Sequence, residues 1–381
     1  MREVCIIGVG QSTFGKLSER TAADLGCEAV SEAITNAGIK PRDIQVAYGC
    51  RMYDAMTTAQ SILKSVGVTA IEMINVENAC ASGATALRCL WKDIAFGLYD
   101  LGIAVGVESM TTSPVAGKLI PPQKDDLDGH MGLTMPTYFA QIARRLMETH
   151  GATVEDFATV SVKNHHHGCL NPRAQYQKEF TVEEILKSRM ISDPITLLQC
   201  CPNTDGAAAV VMCSRSCAKK YTTKPVKVAA SILLSADYFF KKADLTSFTM
   251  GKNATRMAYE MAGIGPEDLD LIELHDAFAC EELVHYEDMR ICKPGESIPL
   301  LRSGATALGG KIPVNPSGGL LSLGHPLAAS GTRVVGEVAL HLRGQAGKRQ
   351  VPNARVGMAH MLGGMESGLE AGAVGIHILT V

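Results

Sequence analysis

The amino-acid sequence predicts an α/β fold made of two similar halves, with a loop domain inserted into the first. Three observations carry that expectation. Ala37-Gly38-Ile39-Lys40-Pro41-Arg42-Asp43-Ile44 returns later as Ala262-Gly263-Ile264-Gly265-Pro266-Glu267-Asp268-Leu269. Cys80-Ala81-Ser82-Gly83 returns, in the same order along the chain, as Ala328-Ala329-Ser330-Gly331. Residues from about 111 to 194 have no counterpart in the second half. The halves are expected at 1–223 and 224–381, with the insertion at about 111–194.

Each half opens on an apolar strand, Val4-Cys5-Ile6-Ile7-Gly8 in one and Val226-Lys227-Val228-Ala229-Ala230 in the other. Both Ala-Gly-Ile runs follow an alanine-rich amphipathic stretch and precede an apolar strand, so each marks a helix that ends at glycine. Ile71 to Val76 reads as a strand leading into a helix that starts near Cys80. The insertion is rich in Met, Gln and His and holds a predicted helix from Thr137 to His150. It is expected to cap the core, where loops often carry specificity. Its Met131, Met135 and Tyr138 suit either a bulky acyl group or ordinary core.

Composition excludes several classes. The chain has 381 residues, 46% hydrophobic and 20% charged, with a net charge of -3. Such a balance sets up no basic field for nucleic acid or anionic lipid. No apolar run is long enough to span a bilayer, the start lacks the features of a signal peptide, and the final Leu379-Thr380-Val381 is not a peroxisomal address. A soluble, cytoplasmic protein is expected. The twelve cysteines are irregularly spaced without a C-x-x-C pair, which points to reduced thiols and no zinc ribbon. His165-His166-His167 is expected to be a loop cluster without a metal, because consecutive side chains seldom converge on one ion.

Three segments carry candidate chemistry. Glu77-Asn78-Ala79-Cys80-Ala81-Ser82-Gly83 surrounds a cysteine with small residues at a strand-to-helix turn. That setting leaves the sulfur open, and a helix N-terminus favours the nucleophilic thiolate. Asn315-Pro316-Ser317-Gly318-Gly319 leads on to Gly324-His325-Pro326. Its glycines permit sharp turns, and an imidazole held there can accept a thiol proton. Leu271-Ile272-Glu273-Leu274 ends in His275-Asp276-Ala277-Phe278. His275 can donate to a carbonyl oxygen, and Asp276 is read as a helix cap in preference to an orienting partner.

Together these segments resemble the thiolase superfamily over nearly the whole chain. The run Val314-Asn315-x-x-Gly318-Gly319-x-x-x-x-Gly324-His325-Pro326 is similar to its signature, and Cys80 stands where its acylated cysteine stands. His275-Asp276-Ala277-Phe278 resembles the sterol-carrier-protein-x-like and archaeal-type branch. The resemblance implies a layered α-β-α-β-α core. It also implies acyl transfer through Cys80, with His325 as base, His275 and His325 as one oxyanion hole, and backbone N–H groups of Cys80 and Gly363 as a second. Coenzyme A would be a co-substrate, with no covalently bound cofactor and no metal. A homodimer is implied, along with a small zinc-ribbon and oligonucleotide-fold partner subunit. The implied reaction is cleavage of a 3-oxoacyl-CoA of the β-oxidation kind, extending to aromatic ones such as benzoylsuccinyl-CoA.

The pattern also departs from the family. Met361 in His360-Met361-Leu362-Gly363-Gly364 stands where many thiolases have an acid/base cysteine, and Ala277 stands where the sterol-carrier-like branch has another. Cys280 and His360 are the candidates left for that role. The absence keeps two other readings open: a retro-aldol or condensing enzyme on the same fold, and a non-catalytic acyl-CoA-binding subunit.

Overall fold

The computed structural model describes residues 1–53, 56–119, 121, 124, 126–222, 224–238, 244–364 and 370–381. Thr223, the last residue of the expected first half, lies outside the described residues. In chain order the strands are β1 (Val4–Gln11), β2 (Val46–Cys50), β3 (Glu72–Val76), β4 (Leu101–Ser109), β5 (Met190–Ser192) and β6 (Ile195–Thr196). They continue with β7 (Asp205–Ser214), β8 (Val226–Leu234), β9 (Leu271–Glu273), β10 (Val356–Gly363) and β11 (Ala373–Thr380).

Apart from the small β5-β6 ribbon, these strands form one sheet ordered β3-β2-β4-β7-β1-β8-β11-β10-β9. The order shows the duplication. In the first half, β2 pairs parallel with β4, and β4 and β1 pair antiparallel with β7. In the second, β9 pairs parallel with β10, and β10 and β8 pair antiparallel with β11. The half-sheets meet only where Cys5 and Ile6 face Lys227 and Val226.

Helices complete five layers. The helix Ala22–Ala37 packs on β1 and β7, and the helix Thr249–Ala262 packs on β8 and β11. Between them the helices Ser82–Phe96 and Leu327–Arg343 pack on each other and reach strands of both halves. The outer helices end at Gly38 (φ 68°) and Gly263 (φ 71°), left-handed positions where glycine carries no Cβ penalty. Thr21 starts the first of them with a reciprocal capping box to Asp24.

The two small-residue echoes are where the central helices touch. A Cβ on Gly83 would stand 2.3 Å from Thr332 N, and one on Gly331 would stand 2.4 Å from Ala84 N. Glycine at both positions lets two backbones approach, which brings the starts of both helices together.

In the insertion, the expected helix runs from Met135 to His150. Tyr138 is fully buried and Met135 packs on the core, whereas Met131 is exposed. The three histidines are not in a loop. They lie on the helix Val154–Cys169, started by a capping box between Thr153 and Asp156, a signal that outweighs the modest helix propensity of histidine. Successive side chains on a helix point about 100° apart. His165 and His167, on opposite sides of the helix, are both buried, while His166 is exposed against Glu179. His167 bonds the Asn315 carbonyl (2.9 Å) and accepts from the Leu308 N–H (3.0 Å), so it supports the turn at Asn315. Among the described residues, no helix is long and apolar enough to cross a membrane.

Candidate active site

Three chain segments bring Cys80, His275 and His325 together: Cys80 Sγ and one ring nitrogen of each histidine all lie within 4.8 Å of one another. Cys80 is half-buried, whereas both imidazoles are buried. The rings stand edge to face with centroids 5.4 Å apart.

Cys80 sits in a short turn immediately before Ser82 opens its helix. Ala79 adopts φ 48°, a left-handed conformation uncommon for residues with a Cβ. Local hydrogen bonds hold it there. Ser82 Oγ accepts from Asn78 N–H (2.8 Å) and donates to the Ala79 carbonyl (2.6 Å), and Asn78 Nδ2 donates to Thr85 Oγ1 (2.8 Å). Gly363, at the end of β10, lies against the same turn, and a Cβ there would meet Asn78 O at 2.2 Å. The backbones of Cys80 and Gly363 are therefore neighbours.

His325 follows Gly324, whose φ of 109° and close approach to Thr204 exclude a side chain. The His325 N–H donates to Thr204 Oγ1 (3.0 Å), and its Nδ1 lies 2.8 Å from Ser330 Oγ. The Ser330 hydroxyl donates to the Pro326 carbonyl (3.1 Å), so its oxygen is left to accept from Nδ1–H. That tautomer places a lone pair on Nε2, which is buried without a hydrogen-bond partner among the described residues. Burial, reinforced by the charge of His275, pushes the His325 pKa well below the usual histidine range. The ring is a neutral acceptor. Ser330→Ala is expected to free the tautomer and lower kcat about 10-fold, with little change in thermal stability; steady-state kinetics beside a melting curve checks it.

His275 has the opposite character. Its Nδ1 lies 2.7 Å from Glu281 Oε1. Burial pulls its pKa down, but the Glu281 carboxylate and the facing Cys80 sulfur outweigh that and bring it to about 10. Its Nε2 is buried and has the Cys80 sulfur as its neighbour. The pocket thus holds one neutral and one cationic imidazole. Glu281 was not singled out from sequence; its i, i+4 spacing from His285 on the helix Ala279–Asp288 was the available signal.

Asp276 caps a helix, but not the one that follows it. Its carboxylate accepts from Leu320 N–H (2.6 Å) at the start of Gly319–Ser322, and from Asn164 Nδ2 (2.8 Å). A Cβ on Gly319 would strike this carboxylate at 2.2 Å, which accounts for the glycine. Asn315 closes the same turn by accepting from Leu274 N–H (2.9 Å) and donating to Glu282 (3.1 Å). Asp276→Ala leaves buried donors unpaired and is expected to cost about 2–4 kcal/mol, read by denaturant unfolding.

The two other acid/base candidates lie outside the Cys80 cluster. Cys280 is buried with its thiol donating to the Phe139 carbonyl (3.3 Å), and burial pushes its pKa well up. His360, on β10, stacks edge-on against His285 at 4.4 Å, and burial pushes its pKa well down. Met361 beside it is fully buried. His275, Glu281 and His285 also meet the spacing of a metal cluster. His275 Nδ1 and Glu281 Oε1 at 2.7 Å are, however, directly hydrogen bonded, closer than the roughly 3.3 Å between two ligands of a tetrahedral zinc.

Residues 4–216 match the family description "Thiolase, N-terminal domain" and residues 233–371 match "Thiolase C-terminal domain-like". The chain belongs to the thiolase family. Among similar proteins is an acetyl-CoA acetyltransferase of Methanothermobacter thermautotrophicus, 40% identical with all of both chains covered. Another is the benzoylsuccinyl-CoA thiolase subunit BbsB of Thauera aromatica, 39% identical over 95% of each chain. Bovine sterol carrier protein 2 is 38% identical over 94% of this chain and 70% of its own length. A solved structure, the Ltp2-ChsH2(DUF35) aldolase, superposes with a TM-score of 0.86 at 24% identity, covering 100% of this chain and 98% of its own; it shares the fold. This thiolase is an acyltransferase enzyme acting on acyl-CoA.

Proposed function

We propose that the chain cleaves a 3-oxoacyl-CoA with free coenzyme A through an acyl-Cys80 intermediate. The observation that carries this reading is the Cys80 thiol within reach of an acceptor nitrogen on His325 and a donor nitrogen on His275. His325 Nε2 takes the thiol proton, and the sulfur attacks the β-carbonyl carbon. The Nε2–H of His275 and the backbone N–H groups of Cys80 and Gly363 are the donors on hand for the oxyanions that develop. Coenzyme A is the second substrate, and the chemistry needs no bound cofactor. The two halves meet at 223/224, and the insertion at about 111–194 lies over the site. The 39% identity to a benzoylsuccinyl-CoA thiolase subunit favours an aromatic acyl chain, although the acetyl-CoA acetyltransferase is as similar.

The Thauera relative is named as a subunit, which supports a partner subunit; we propose a small zinc-ribbon and oligonucleotide-fold protein in that place, beside a homodimer in the cytoplasm. Exposed Leu119, Leu127 and Met131 in the insertion offer it apolar contact. The test is intact-protein mass spectrometry after exposure to acetyl-, acetoacetyl- and benzoylsuccinyl-CoA, with and without such a partner. An acyl adduct mapped to Cys80 and lost in Cys80→Ser is the expected result. Cleavage of a thioester without any adduct would overturn the covalent mechanism.

A further inference from the structure

C–C cleavage of a 3-oxoacyl thioester leaves an enolate that must be protonated, and the free coenzyme A thiol must later be deprotonated. Neither Ala277 nor Met361 can do this, and the Cys280 thiol is turned to the Phe139 carbonyl. We propose that His275 is this second acid/base, and that Glu281 is the positioning residue that keeps it an imidazolium. The inference rests on the acyl-Cys80 reading.

The geometry around Glu281 favours a carboxylate. It accepts from His275 Nδ1 (2.7 Å), the Ala277 N–H (3.0 Å) and His285 Nε2 (3.3 Å), and it is fully buried. Three donors on one buried carboxylate compensate its desolvation, which a neutral acid would not exploit. His275 Nδ1–H is thereby committed, and only Nε2 is left to work, buried beside Cys80 and His325. Other titratable groups around His275 and Glu281 are His285 and Cys280 on the Glu281 helix, Tyr138 in the insertion, Asp276 next in the chain, Cys201 ahead of β7 and His360 on β10. Burial raises the Cys201 thiol and lowers His360, so both stay neutral.

The protons balance. The Cys80 thiol proton moves to His325 Nε2, and sulfur bonds to the β-carbon. When the tetrahedral adduct collapses, the bond between the α- and β-carbons breaks and its electron pair forms the thioester enolate. His275 Nε2–H passes to the α-carbon, releasing acetyl-CoA or a related thioester and leaving His275 neutral. Coenzyme A then gives its thiol proton to His275 Nε2 and attacks the acyl carbon. Cys80 leaves as a thiolate and recovers its proton from His325. Both histidines end as they began.

The test separates the two half-reactions in Glu281→Gln. Exchange of the α-protons of acetyl-CoA in D2O reads the second acid/base at carbon; Cys80 acylation by acetyl-CoA, in which His275 only protonates a departing thiolate that is already a good leaving group, reads mainly the nucleophile. Exchange begins from neutral His275, so its rate rises with pH toward a plateau above about 10; in Glu281→Gln the plateau is expected to fall on the order of 100-fold, acylation by less than about 10-fold, and the rise of the exchange profile to move down toward the ordinary histidine range. Glu281→Asp, which keeps the charge, is expected to retain the rise of exchange near 10, and it answers the question if Glu281→Gln does not fold. Unchanged exchange, or an equal loss in both half-reactions, would overturn the assignment. Exchange that persists in the unmodified protein while Cys80 never acylates would sink the covalent reading and leave the His275 role standing.

Discussion

Cys80→Ala is expected to lower kcat by at least on the order of 10⁴-fold and to abolish every acyl adduct, while the melting temperature hardly moves. The side chain is half-buried in a turn whose hydrogen bonds are made by Asn78, Ser82 and Thr85, so its removal leaves the frame intact. Cys80→Ser is expected to be almost as inactive. Burial and the neighbouring His275 charge make His325 a weak base, and a hydroxyl is far harder to deprotonate than a thiol. The same charges set the pH range of acylation. His325 must be neutral and its pKa lies below the usual histidine range, so the acid limb lies there too. His275 must stay protonated, and its pKa of about 10 puts the alkaline limb there. A retro-aldol enzyme on this fold would cleave its substrate in Cys80→Ala, and that outcome would displace acyl transfer.

Much of this site was legible in the residues because its positions have strict backbone demands. Gly319 and Gly324 stand where a Cβ would strike Asp276 and Thr204, so the glycine-rich run announced a crowded turn beside His325, and Gly363 does the same against Asn78 beside Cys80. The Ala-Gly-Ile echoes were legible for the same reason, since a left-handed helix end selects glycine at Gly38 and Gly263 alike. What stayed hidden depends on contacts between distant segments. Glu281 acquires meaning only when Ala277, His275 and His285 converge on it. Asp276 was legible as a cap, but a cap for a helix starting at Gly319, and no local spacing encodes that. The His165-His166-His167 run misled because clustered histidines suggest a loop, whereas the Thr153–Asp156 capping box fixes a helix over them.

Gly331→Ala is expected to destabilise the protein by about 3 kcal/mol or more, and Gly83→Ala by a similar amount. A Cβ on Gly331 would lie 2.4 Å from Ala84 N and 3.0 Å from Gly83 C; one on Gly83 would lie 2.3 Å from Thr332 N and 2.9 Å from Ala328 O. These are backbone atoms, so no side-chain rotation relieves the clash and the helices must part. They are held between two half-sheets, which leaves them little room to do so. Both substitutions press on the same gap, so the double variant should cost less than the sum of the two, a coupling that denaturant unfolding can read. Gly251→Ala is the control: a Cβ there meets only ordinary contacts at 3.5 Å on an outer helix, and a slight gain in stability is expected. The helix starts also carry the proposed nucleophile and base. Cys80 lies just before Ser82 and His325 just before Leu327, so parting the helices at Gly83 and Gly331 lengthens the path from thiol to imidazole. Activity in Gly331→Ala should therefore fall at temperatures where the protein is still folded. If activity fell only as the protein unfolded, the helix contact would serve stability alone and would not set the distance between nucleophile and base.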